Sequence, residues 1–182
     1  EVDMEVKNLK FTERMAGHWT KFSVPKSCQY PLPQSDFEQE EISENSKEAE
    51  FVLTISIQDM DRFILDPSHT GQADGYLILE GFTEKQNVQK GIFNLFQKAI
   101  SSEGKDALKE MNYTLFFKNE QGEDLTFYGF KTINKENGTN VWSETTTLYF
   151  SIWKGHQTFQ MNSTYQVLGQ GVLHISLVDF AR

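Results

Sequence analysis

The chain has 182 residues, 38% of them hydrophobic, with fifteen Phe, six Tyr and three Trp, which suits one domain with a sizeable core. Seventeen Lys and Arg against twenty-six Asp and Glu give a formal charge of −9, which repels nucleic-acid phosphates and anionic lipid headgroups alike. The lone Cys28 forms no internal disulfide, no apolar run nears the ~20 residues of a membrane-spanning helix, and no signal peptide begins the chain; a soluble protein is expected, and its localisation stays open.

Alternation with period two dominates the chain from its first informative segment. Lys10–Phe22 reads as a strand. Residues 25–49, with three prolines and many acidic side chains, read as a long loop, either a mobile acidic excursion or a lid over a barrel mouth. In "EFVLTISI", Phe51, Leu53, Ile55 and Ile57 share one face. Asp59–Leu65 follows as a short helix that Asp59 caps and Asp66-Pro67 ends. Asp66, Ser68 and His69 are too close in sequence for a Ser-His-Asp relay and read as a turn before the next strand.

Further strands are expected at Ala73–Phe82, Val88–Gln97, Met111–Phe117, Asp124–Ile133, Trp142–Trp153, Thr158–Leu168 and Gly171–Val178, with a second short helical stretch at Lys105–Met111. "KNEQGEDL" (Lys118–Leu125) and "LGQGV" (Leu168–Val172) read as hairpin turns. "LEGF" at Leu79–Phe82 and "FYGF" at Phe127–Phe130 hint at a duplicated hairpin. The sum is a single all-β domain spanning 1–182, an antiparallel β-barrel or two-sheet β-sandwich of about nine strands.

The usual catalytic grammar is missing. No dinucleotide fingerprint, P-loop or nucleophile elbow occurs, so no cofactor is expected. Asp59, Asp61 and Asp66 lack the spaced ligands of a calcium loop, and no Cys/His set has zinc spacing, so no metal is expected. The sequons at Asn112, Asn137 and Asn162 carry little weight. His18, His69, His156 and His174 have no spaced partner; His18 and His174 are the acid/base candidates if the protein is an enzyme. The most informative stretch is "VWSETTTLYFSIWKG". Leu148, Phe150 and Ile152 face one side, Thr145, Thr147, Tyr149 and Trp153 the other, and the latter four are the candidate ligand-binding residues if that side lines an apolar cavity. A central sandwich strand packed on both sides is the alternative.

The segments "FTERMAGHW", "FVLTISIQDMDRFILDPSHTGQADG", "GIFNLF", "MNYTLFF", "YGFKTI", "WSETTTLYFSI" and "GVLHISLVDFAR" resemble, in order, a domain found attached to cholesterol-oxidase-like flavoprotein oxidoreductases of the glucose-methanol-choline type, and to α/β-hydrolase segments in the same large proteins. The resemblance implies an accessory region with no catalytic residue to carry over, in a context of sterol or lipid oxidation. The expected function is therefore a non-catalytic binding module for a sterol or lipid, with an adjacent oxidoreductase or hydrolase domain as a partner. A small-molecule enzyme with its pocket inside the barrel and an exported protein-interaction module are the alternatives.

Overall fold

The computed structural model describes residues 8–30, 45–65, 69–97, 109–133 and 147–175. Nine strands follow one another: β1 (Leu9–Gln29), β2 (Lys47–Ile57), β3 (Thr70–Leu79), β4 (Thr83–Asn87), β5 (Lys90–Gln97), β6 (Lys109–Lys118), β7 (Asp124–Ile133), β8 (Thr147–Lys154) and β9 (Thr164–Ile175). Among the described residues one helix, α1 (Met60–Leu65), interrupts them, and no helix there is long and apolar enough to cross a membrane. All pairings are antiparallel, in the order β2-β1-β9-β8-β7-β6-β5-β3-β4, and β2 pairs with β3 to close the sheet. The result is an eight-stranded barrel with β4 as an extra short strand on β3, so of the two expected architectures the barrel is the one formed.

The strand count agrees with expectation through two offsetting differences. Strand β4 was not foreseen, whereas Thr158–Leu168 and Gly171–Val178, read as two strands, are served by the single β9. "LGQGV" is no turn: its glycines make room for Trp19. A Cβ at Gly169 would lie 2.8 Å from the Trp19 ring, and one at Gly171 would lie 2.7 Å from both Trp19 Cβ and the Phe150 ring. Nor do "LEGF" and "FYGF" correspond, since Gly81 sits at φ 78° in the turn between β3 and β4 whereas Gly129 lies within β7.

Two other boundaries shift. β1 runs through Pro25 to Gln29, because the register with β9 slips between Lys21 and Lys26 and a proline is tolerated where the ladder is irregular. β2 begins at Lys47, so the expected loop at 25–49 loses both its ends to strands; residues 31–44 lie outside the described residues. The second helical stretch fails at its end, where Lys109–Met111 already belongs to β6. By contrast, Asp59 Oδ1 accepts from the Arg62 amide at 3.1 Å, the expected cap of α1. The hairpin between β6 and β7 also forms as expected, with Asn119 Oδ1 accepting from the amides of Gln121 (3.1 Å) and Glu123 (2.9 Å) and Gly122 at φ 79°.

Candidate functional site

Side chains of alternating parity from every strand of the barrel meet in its interior. Met15, Trp19, Phe51, Leu53, Leu77, Phe93, Leu115, Phe127, Phe150 and Leu173 are all buried in one cluster. Trp19 occupies one end, tilted against Phe82 at 5.6 Å between ring centroids, and its Nε1 donates to the Glu80 carbonyl at 3.3 Å. That end is filled by the protein's own side chains.

Toward the opposite end the interior changes character. Glu13 on β1, Tyr113 on β6 and Lys131 on β7 fall on the inward parity of strands that are otherwise apolar. β1 and β6 stand four strands apart around the closed sheet, so they face each other across the lumen. The Tyr113 hydroxyl donates to Glu13 Oε2 at 2.9 Å, and Lys131 Nζ lies 3.6 Å from Glu13 Oε1 and 5.3 Å from the centroid of the Tyr113 ring. The side chain of Lys131 is 1% exposed and that of Glu13 11%, so both charges sit in a dry environment. Burial lowers the Lys131 pKa from its ordinary 10.5 even though the Glu13 carboxylate opposes the shift. Burial and then Glu13 hold the Tyr113 phenol well above its ordinary value.

Above this polar floor stands a ring of apolar side chains from the strand ends: Phe11, Ile57, Leu95, Met111 and Ile175. Four of them, Phe11, Leu95, Met111 and Ile175, are only half-buried, whereas the inward residues deeper in the barrel are shut off from solvent. The mouth thus offers apolar contact surface over a convergent group of one carboxylate, one ammonium and one phenol. Apolar walls with few placed polar groups are the usual make-up of a small-molecule site.

The candidate residues from β8 lie elsewhere. Leu148, Phe150 and Ile152 point into the barrel, which puts Thr147, Tyr149 and Trp153 on its outer face; Thr145 lies outside the described residues. Trp153 is sealed there, stacked on Tyr128 (4.8 Å) and Tyr165 (4.1 Å), with its Nε1 donating to Ser151 Oγ at 2.7 Å. Tyr149 packs at the edge of the same cluster, and Thr147 Oγ1 is 3.3 Å from His174 Nδ1. The expectation that this face lines the interior is corrected: the inner face of β8 is the one carrying Leu148, Phe150 and Ile152.

His18 and His174 also lie on the outer face and are exposed, so the enzyme alternative loses its two acid/base candidates for an interior pocket. His69, at φ 43°, directly precedes β3, the expected turn at residues 66–68 lying outside the described residues, and His156 stacks on Phe116 at 4.8 Å. Asn112 is 1% exposed in β6, which is incompatible with glycosylation of the folded chain. A groove of 1050 Å³ across the outside of β1, β2 and β3 is acidic through Glu48, Glu50, Glu80, Glu84 and Glu120. One of these is already paired, Glu50 with Arg14 at 2.9 Å.

Glu13, Tyr113 and Lys131 were missed in the sequence although a signal was present. Each carries a polar group at a position whose parity matches apolar neighbours: Phe11 and Met15, Met111 and Leu115, Leu125 and Phe127. No protein family, no curated protein and no solved structure matches the chain.

Proposed function

We propose that the protein is a non-catalytic binding module whose barrel mouth takes an apolar molecule with a polar end, of the sterol or long-chain lipid class. The observation that carries this reading is the Glu13–Lys131–Tyr113 floor beneath half-buried Phe11, Leu95, Met111 and Ile175. A buried ion pair is a poor stabiliser compared with apolar packing, so its presence in an aliphatic and aromatic interior calls for a use. A ligand's apolar body would cover the ring, and its polar end would reach the floor. The same ligand class, with a neighbouring oxidoreductase or hydrolase domain as partner, is what the resemblance of the sequence segments to an accessory domain of sterol-oxidising flavoproteins implies, a resemblance that stands on those segments alone.

Trp153 is too remote to report such binding, being packed on the outer wall. A reporter belongs in the ring itself. Met111→Trp should show a saturable fluorescence change when titrated with cholesterol or a long-chain lipid, and the ligand should raise the melting temperature by mass action. A reporter that folds normally and stays silent across both ligand types would defeat the reading.

A further inference from the structure

We propose that the barrel mouth selects ligands whose polar end is an uncharged hydroxyl and discriminates against carboxylates and amines of the same chain length; this rests on the reading of the mouth as a binding site. The argument is one of charge balance. Glu13 and Lys131 already compensate each other in the interior, with side-chain exposures of 11% and 1%. A ligand carboxylate would set two anions against one ammonium, and a ligand ammonium would set two cations against one carboxylate. Either leaves a net charge where solvent cannot screen it, which is the costly arrangement in a dry site.

A hydroxyl adds no charge, and the geometry has a place for it. The 3.6 Å between Lys131 Nζ and Glu13 Oε1 exceeds the usual charge-assisted hydrogen bond of about 2.7–2.9 Å, so neither group is fully engaged by the other. An alcohol both accepts and donates, so its oxygen can accept a hydrogen bond from Lys131 Nζ while its hydroxyl donates one to Glu13 Oε1. A ketone or ester only accepts and would leave Glu13 Oε1 without a donor. Tyr113 takes no part in the exchange, because its hydroxyl is committed to Glu13 Oε2 at 2.9 Å, where it holds the carboxylate in place.

The test displaces Nile red from the wild-type protein with dodecanol, dodecanoate and dodecylamine, at a pH near 8 where the acid is ionised and the amine protonated. Dodecanol should displace the dye at a concentration at least tenfold below that of either charged analogue. Glu13→Gln, which removes the anion with little change of shape, should invert the order so that dodecanoate becomes the tightest of the three. Equal displacement by all three, or preference for a charged analogue in the wild type, would overturn the selectivity while leaving the site reading intact. No displacement by any of them would overturn both. The wild-type series decides the matter even if Glu13→Gln fails to fold.

Discussion

On the outer wall, buried hydroxyls hold neighbouring segments in place. Thr126 Oγ1 donates to the Gly155 carbonyl (2.7 Å) and accepts from the Gln157 amide (2.9 Å). Tyr165 likewise donates to the Thr158 carbonyl (2.8 Å) and accepts from the Gln160 amide (2.7 Å), fixing the segment between β8 and β9. The Tyr30 and Tyr128 hydroxyls, 3.1 Å apart, tie the residue after β1 to β7. Inside the barrel, Glu13, Tyr113 and Lys131 contact one another across the lumen and fasten no segment that the closed ladder leaves loose. Polar groups outside thus add order to the chain, whereas those inside carry a desolvation cost with no segment held in return, which is the ground for the binding role proposed for them.

The largest test of that contrast is to break the interior pair. Lys131→Met leaves the Glu13 carboxylate buried beside an apolar side chain and should cost about 3–5 kcal/mol, read from urea unfolding. Adding Glu13→Leu and Tyr113→Phe should return stability close to that of the wild type, because the apolar set needs no desolvation and leaves no buried hydroxyl unpaired. If the triple variant stays as unstable as the single one, the floor is a structural tie after all and the contrast collapses.

Alkaline titration separates the interior lysine from the buried phenols by sign. Burial depresses the Lys131 pKa, so at pH values below about 10.5 the unfolded chain holds a proton that the folded one releases earlier. Over that window stability rises with pH on this account. Burial raises the phenols of Tyr113 and Tyr128 well above 10.0, so the folded chain keeps protons that the unfolded one loses, and stability falls beyond about pH 10. Urea midpoints measured from about pH 8 to 11 should show both limbs in the wild type. Lys131→Met should lack the rising limb and keep the falling one; an unchanged rising limb would show that Lys131 is not the group responsible.

Alternation made the barrel legible because a closed antiparallel sheet imposes the same two-residue period on every strand, and Phe51–Ile57 obeys it throughout. Turn chemistry misled where glycine serves packing: Gly169 and Gly171 look like punctuation in the chain, and the close approach of the paired strand β1 with its Trp19 side chain explains them. The site was less legible for the same reason. Period two separates the faces of β8 but does not say which one a barrel turns inward, and Thr147, Tyr149 and Trp153 went to the outside. Tyr113 and Lys131 share the β6–β7 hairpin, but Glu13 lies 100 residues before Tyr113, so no local pattern brings it to them. Closure of the sheet does.

The smallest expected effects lie on the outer wall and have opposite signs for the same substitution. Thr126 and Thr114 are both β-branched, buried to within 2% and on the outer face of adjacent strands. Thr126→Val removes a hydroxyl with two partners and strands the Gly155 carbonyl and Gln157 amide, so it should cost about 1–2 kcal/mol. Among the described residues the Thr114 hydroxyl has no hydrogen-bond partner, and neither does the neighbouring Asn112 Oδ1 on the same strand. Thr114→Val keeps the shape and the strand preference while deleting an unmet polar group, so it should stabilise by about 1 kcal/mol. Paired urea melts read both signs directly. A loss at Thr114 equal to that at Thr126 would mean that its hydroxyl finds a partner in solution, an ordered water being the simplest, and that the outer wall holds its polar groups more uniformly than the contrast with the interior requires.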